Sequence, residues 1–90
     1  MISQLTFDQE TEEDEMLTAF VFINTETGSG DEILQALRRI SSIKEAHRLY
    51  GIFDLVARVE IGTLREFKEI VTGKIRQFDK VKSIKTMIVL

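Results

Sequence analysis

The sequence predicts an α+β fold in which two β-α-β units interlock in the order β-α-β-β-α-β, giving a four-stranded antiparallel sheet with two helices on one face. Three observations carry this. Four short runs rich in β-branched and aromatic residues begin at Met16, Ile43, Phe53 and Val81. Two amphipathic stripes separate the first run from the second and the third from the fourth, each opened by a hydroxyl residue with Glu three positions on, Ser29 with Glu32 and Thr63 with Glu66. Finally, Ile40-Ser-Ser-Ile43-Lys44 is echoed by Phe78-Asp-Lys-Val81-Lys82, 38 residues later, so both units leave their helix in the same way.

Residues 1–15 stand apart. They hold six acids (Asp8, Glu10, Glu12, Glu13, Asp14, Glu15) and no base, and are expected to form an acidic flexible tail, because charge density opposes compaction. Residues 16–90 hold nine acids against twelve bases and form the folded body. Met16 to Thr25 reads as a strand with Leu17, Ala19, Val21 and Ile23 on one face and Phe20 and Phe22 on the other, since strand side chains alternate with a period of two. The Glu26-Thr27-Gly28-Ser29-Gly30 loop leads to a helix whose stripe is Ile33, Leu34, Leu37 and Ile40, with Arg38 and Arg39 near its end and Ser41-Ser42 beyond. Ile43 to Tyr50 is a second strand, Gly51-Ile52 a tight turn, and Phe53 to Ile61 a third strand with the cleanest alternation in the chain. The stripe Leu64, Phe67, Ile70, Val71, Ile75 and Phe78 predicts a second, longer helix containing Gly73, and Val81 to Leu90 closes the sheet. With right-handed crossovers this is the ferredoxin-like sandwich. One sheet face is then left open, and Phe20 and Phe22 should lie on it, as a partner interface or a ligand platform.

Composition removes several function classes. There is no cysteine and one histidine, His47, so thiol catalysis, Cys-based zinc sites and His clusters are excluded; neither metal nor cofactor is expected. No apolar run approaches the roughly 20 residues that span a bilayer, and the N-terminus lacks a signal sequence, so the expected location is cytoplasmic, without a membrane partner. A chain of 90 residues buries only about 60% of its unfolded surface, which makes self-association a natural support.

Three readings of the open face compete. As an RNA platform it would need aromatics at alternating positions of the third strand, and Phe53-Asp54-Leu55-Val56-Ala57 does not supply them. As a small enzyme of the dimeric α+β barrel type, monooxygenase-like, it would need a tuned acid or base, and His47 has none beside it in sequence. As an effector module it would use Tyr50-Gly51-Ile52-Phe53-Asp54. There, Gly51 can bare backbone amides toward a carboxylate and Asp54 can oppose an ammonium; the alternative is a hairpin that needs glycine, with Asp54 bonding nearby backbone.

That turn resembles the Tyr-Gly-x-aromatic-Asp turn of the Lrp/AsnC regulators. Ala19 to Asn24 is similar to their opening strand, Ile40 to Tyr50 to their helix exit and second strand, and Lys82 to Thr86 to the approach to their last strand. The resemblance covers residues 17–90 and implies their RAM domain, for regulation of amino acid metabolism. It further implies a dimeric α+β barrel type of assembly, with sheets packed face to face over Phe20 and Phe22, and larger rings of dimers. An amino-acid effector would lie between dimers, near Gly51, Asp54, Tyr50 and Phe53, with Thr86, Met87 and Ile88 from a neighbouring subunit. The fifteen residues before the body are too few for the helix-turn-helix of full-length relatives, so the expectation is a stand-alone RAM protein or an excised regulatory domain without direct DNA binding, non-enzymatic, with transcription modulated through assembly, including mixed oligomers with those relatives.

Overall fold

A computed structural model of the chain describes residues 16–90. The acidic segment 1–15 lies outside the described residues. The elements follow the expected order: β1 (Leu17–Thr25), α1 (Gly30–Arg38), β2 (Ile43–Arg48), β3 (Leu55–Ile61), α2 (Leu64–Ile70) continued by a π-helical turn (Val71–Ile75), and β4 (Val81–Ile88). The strands form one sheet in the order β2-β3-β1-β4, with every neighbouring pair antiparallel.

Alternation divides the sheet as the sequence implies. Ala19, Val21 and Ile23 of β1 and Leu55, Ala57, Val59 and Ile61 of β3 are sealed beneath the helices, where they meet Ile33, Leu34 and Leu37 of α1 and Phe67, Ile70, Val71 and Ile75 from the second helical segment. Register sets the other face. Phe20 stands opposite Arg58 and Met87, and Phe22 opposite Val56 and Lys85, so these residues share the side without helices.

The two Ser/Thr-x-x-Glu signals part company. At α2, the Thr63 hydroxyl accepts from the Glu66 amide at 3.1 Å, and the Glu66 carboxylate accepts from the Gly62 amide at 2.8 Å. At α1, Ser29 makes no side-chain cap. The preceding turn, with Gly28 at φ 85° and the Ser29 amide donating to the Glu26 carbonyl, carries Ser29 into the helix with φ −102° and ψ 1°, and this is not the extended conformation that aims a hydroxyl at the first amides. Glu32 pairs instead with Lys80.

Other boundaries also differ from expectation. Helix α1 ends at Arg38, before the serines, because the Arg39 and Ile40 amides bond three residues back and tighten the last turn. The second strand stops at Arg48 and the third begins at Leu55, leaving Leu49–Asp54 as the connection. The second helix is not uniform: at Val71 it widens into a π turn, closed by the Arg76 amide on the Val71 carbonyl at 2.9 Å. Gly73 lies in that turn, and a Cβ added there would meet nothing within 4 Å, so close packing does not explain it. Leu64, assigned to the apolar stripe, is 58% exposed, because it begins the helix beyond the edge of the core.

Candidate functional site

The Leu49–Asp54 connection is pinned to the end of β1. The Leu49 amide donates to the Asp54 carbonyl at 2.8 Å and the Asp54 amide to the Ile23 carbonyl at 3.0 Å. Asp54 then turns its carboxylate back: Oδ2 accepts from the Thr25 amide at 2.8 Å and the Thr25 hydroxyl at 3.3 Å. This is the local backbone role the sequence allowed for Asp54. It does not exhaust the group, since a carboxylate offers about four acceptor positions. Tyr50 and Gly51 project at the exposed tip, and Gly51 has φ 157° with open space around it.

Beside this turn, an open cleft of about 780 Å³ lies at one end of the sheet, bordered by Thr25, Gly30, Asp31, Arg48, Asp54 and Lys82. Arg48 reaches from the end of β2 to the first turn of α1, where its Nη1 meets Asp31 Oδ1 at 2.6 Å. Its guanidinium lies over Gly30 so closely that a Cβ there would stand 3.1 Å from Cζ. Acids and bases thus face one another around one space.

A second concavity, about 360 Å³, lies on the open sheet face between Phe22, Phe53, Lys85, Thr86 and Met87. The Phe22 and Phe53 rings sit 5.4 Å apart and tilted by 43°, a favourable aromatic arrangement. Met87 is 59% exposed. Ile88 is half-buried against the core, opposite Ala19. One chain therefore brings together Phe53, Thr86 and Met87, and places Asp54 in the separate cleft, with Tyr50 and Gly51 at the tip between strands. Sequence reasoning missed Asp31, Arg48 and Thr25. The available signal was the charge at Arg48, whose register opposite Leu55 turns it to the helix side.

The rest of the open face is ionic. Arg58 of β3 bonds Glu45 of β2 at 2.9 Å and also Glu60, while His47 Nε2 lies 3.3 Å from Glu45. The hydrogen bond with His47, and then Arg58, holds the Glu45 carboxyl below its ordinary range; Glu45 and then Glu60 raise Arg58. His47 is exposed and partnered by this surface acid. Among the described residues, no group of three His, Cys, Asp or Glu could hold a metal, and no helix is long and apolar enough to cross a membrane.

Residues 18–90 match the family described as the Lrp/AsnC ligand binding domain. The chain belongs to the Lrp/AsnC family. No curated protein matches it significantly. Solved structures agree: FFRP-DM1 is 35% identical over 83% of this chain and 100% of that one, with a TM-score of 0.81. A hypothetical protein, PHS023, of Pyrococcus horikoshii is 35% identical over 83% and 90%, with a TM-score of 0.80. A transcriptional regulator of Neisseria meningitidis, solved as a complex with L-Met, shares the fold at 16% identity and a TM-score of 0.77; this Lrp/AsnC chain spans 58% of its length. The ferredoxin-like architecture and the regulatory ligand-binding family expected from sequence are thus both found.

Proposed function

We propose that this Lrp/AsnC domain is an amino-acid-responsive assembly module that modulates transcription through its oligomeric state and does no chemistry itself. The observation that carries the reading is the cleft at Asp54, where carboxylates and cations face a common space beside the bared Gly51 turn. A free amino acid brings an ammonium and a carboxylate that must both be satisfied on leaving water. Asp54 keeps acceptor capacity for the first, and backbone amides near Gly51 or the cations of the cleft serve the second.

The half-buried Phe20 and Phe22 on the open face support a dimer in which sheets pack against each other. Thr86 and Met87 line a different surface from Asp54, which fits an effector held by one chain at the turn and by another at β4. Binding then favours one assembly over another, as linkage requires. The regulator solved with L-Met supports an amino acid as the ligand class. Mixed oligomers with full-length relatives would carry the signal to DNA.

The test is a melting screen against the twenty amino acids, paired with light scattering. A ligand at a hundredfold its Kd should stabilise by about 2.7 kcal/mol. A monomer indifferent to every amino acid would sink the proposal.

A further inference from the structure

The two edges of the sheet are finished differently. The Val89 amide donates to the Thr18 carbonyl at 2.8 Å, so these two form a bonded pair, as do Phe20 with Met87 and Phe22 with Lys85 further along the same ladder. The N–H and C=O groups of the residues between, Ile84, Thr86 and Ile88, therefore point away from β1 along a free edge. At the other edge, the same alternation turns Ala46 of β2 outward, since Ala57 opposite it bonds β1. There the Arg38 guanidinium donates to the Ala46 carbonyl at 2.8 Å, the register slips between Ile43 and Glu45, and the strand is six residues long. A capped carbonyl, an irregular register and a short strand each discourage added strands. Strand β4 has none of these devices: it is eight residues long and regular from Ser83 to Ile88, and among the described residues nothing bonds its outward groups.

The side chains along that edge are complementary to themselves. In an antiparallel pair of identical strands, outward residues must meet outward residues, which leaves few registers. Centred on Lys85, the pair would set Lys85 against its own copy, a destabilising like-charge contact. Centred on Thr86, Ile84 of each copy meets Ile88 of the other on the helix side, and Thr86 meets Thr86 between them. On the open side the Lys85 stem then lies over the exposed Met87. Centres on Ile84, Met87 or Ile88 do not bring the two isoleucines together. Both are only half-buried against the core in a single chain, so each keeps a flank to cover.

We infer that β4 pairs edge to edge with β4 of a second copy, antiparallel about a two-fold axis at Thr86, joining two sheets into one. The contact uses the edge of the sheet, so it leaves Phe20 and Phe22 on the open face and the Asp54 cleft uncovered. It does not depend on the proposed effector function. Combined with face-to-face packing, it gives each chain two different isologous contacts, and their alternation closes rings with an even number of chains.

The absence of cysteine permits a clean test in the full chain. Across the proposed axis, Thr86 and its copy stand about 5.5 Å apart at Cα, within disulfide range, whereas the two copies of Lys85, or of Met87, stand about 8 Å apart, beyond it. Under oxidised glutathione, Thr86→Cys should therefore form a covalent dimer about tenfold faster than Lys85→Cys or Met87→Cys; all three positions are exposed. In the parent chain, the amides of Ile84, Thr86 and Ile88 should resist hydrogen exchange at high protein concentration and lose that protection on dilution. Thr86→Pro removes an outward N–H that its own sheet does not use, so it should abolish the concentration-dependent protection of Ile84 and Ile88 with the amide signals of β1 and β3 unchanged. Crosslinking of Thr86→Cys no faster than the other two would overturn the inference, as would edge amides that are unprotected at high concentration, protected equally after dilution, or still protected in Thr86→Pro. The cysteine and parent-chain measurements decide the matter even where the proline variant does not fold. None of these readouts involves an effector, so a chain indifferent to every amino acid would leave the test intact.

Discussion

Replacing Asp54 separates two roles that the structure superimposes on one carboxylate. Thr25 is only 8% exposed, and its amide donates to Asp54 Oδ2 at 2.8 Å. In Asp54→Ala that amide loses its partner where water is scarce, at a cost of about 1–3 kcal/mol. For a domain of this size each kcal/mol moves Tm by roughly 4–8 °C, so a fall of about 10 °C is the central expectation. Asp54→Asn keeps an acceptor oxygen over Thr25 and forfeits only the assistance of the charge, about 1 kcal/mol, so its Tm should fall by roughly half as much. Both variants should lose the amino-acid-induced rise in Tm, because neither can oppose an ammonium with a full charge. Scanning calorimetry with and without the effector reads both effects. If Asp54→Ala melts within about 2 °C of the parent, the tie to Thr25 is not structural; if Asp54→Asn keeps the full ligand response, the ammonium site lies elsewhere.

Four further outcomes are expected. Thr63→Ala should cost about 1 kcal/mol through the lost cap, whereas Ser29→Ala, at the same spacing before a glutamate, should change unfolding free energy by less than about 0.5 kcal/mol. Gly28→Ala, at φ 85°, should destabilise by about 1–2 kcal/mol, while Gly73→Ala, with space around it, should stabilise by about 0.5–1 kcal/mol in chemical denaturation. The folded Glu45 carboxyl is depressed by His47 and then Arg58, so its contribution is present above the ordinary glutamate range and is lost as pH falls through the lowered value; Glu45→Gln should flatten that acid limb of the stability profile. Met87→Ala should leave a dilute monomer's Tm within about 2 °C, because the side chain is 59% exposed, and should lower Tm progressively as protein concentration rises if a second chain covers that face; a concentration-independent shift would remove Met87 from the interface.

What was legible in the sequence is what periodicity dictates. Leu55, Ala57, Val59 and Ile61 had to face one way, and the stripes of α1 and the second helix had to meet them. What escaped depended on contacts between distant segments. Ser29 and Thr63 look alike in sequence, yet the Gly28 turn presets Ser29's backbone and leaves Thr63 as the functioning cap. Leu64 fits the helical period but precedes the part of the helix that lies on the sheet. Nothing local to Arg48 reveals that it crosses 17 residues of sequence to Asp31 and packs on Gly30. The π turn likewise changes the hydrogen-bond step without changing which side of the segment is apolar, since Val71 and Ile75 are both buried.

The division of the expected site into two surfaces bears on why such a small domain should assemble. Asp54 lies at the end of the sheet beside α1, and Phe53, Thr86 and Met87 border a concavity on the open face. Under the proposed function, a ligand the size of an amino acid engages Asp54 of one chain and Met87 of another, and its affinity is then conditional on association. The open face is equipped for that at modest cost. Phe22 and Phe53 already stack, and Arg58 arrives with both its acids in place, so covering it need not strand a lone charge. In that proposal the effector's contribution is differential stabilisation of one arrangement of chains, and specificity for a given amino acid would reside in the pairing of turn and strand across chains more than in either surface alone.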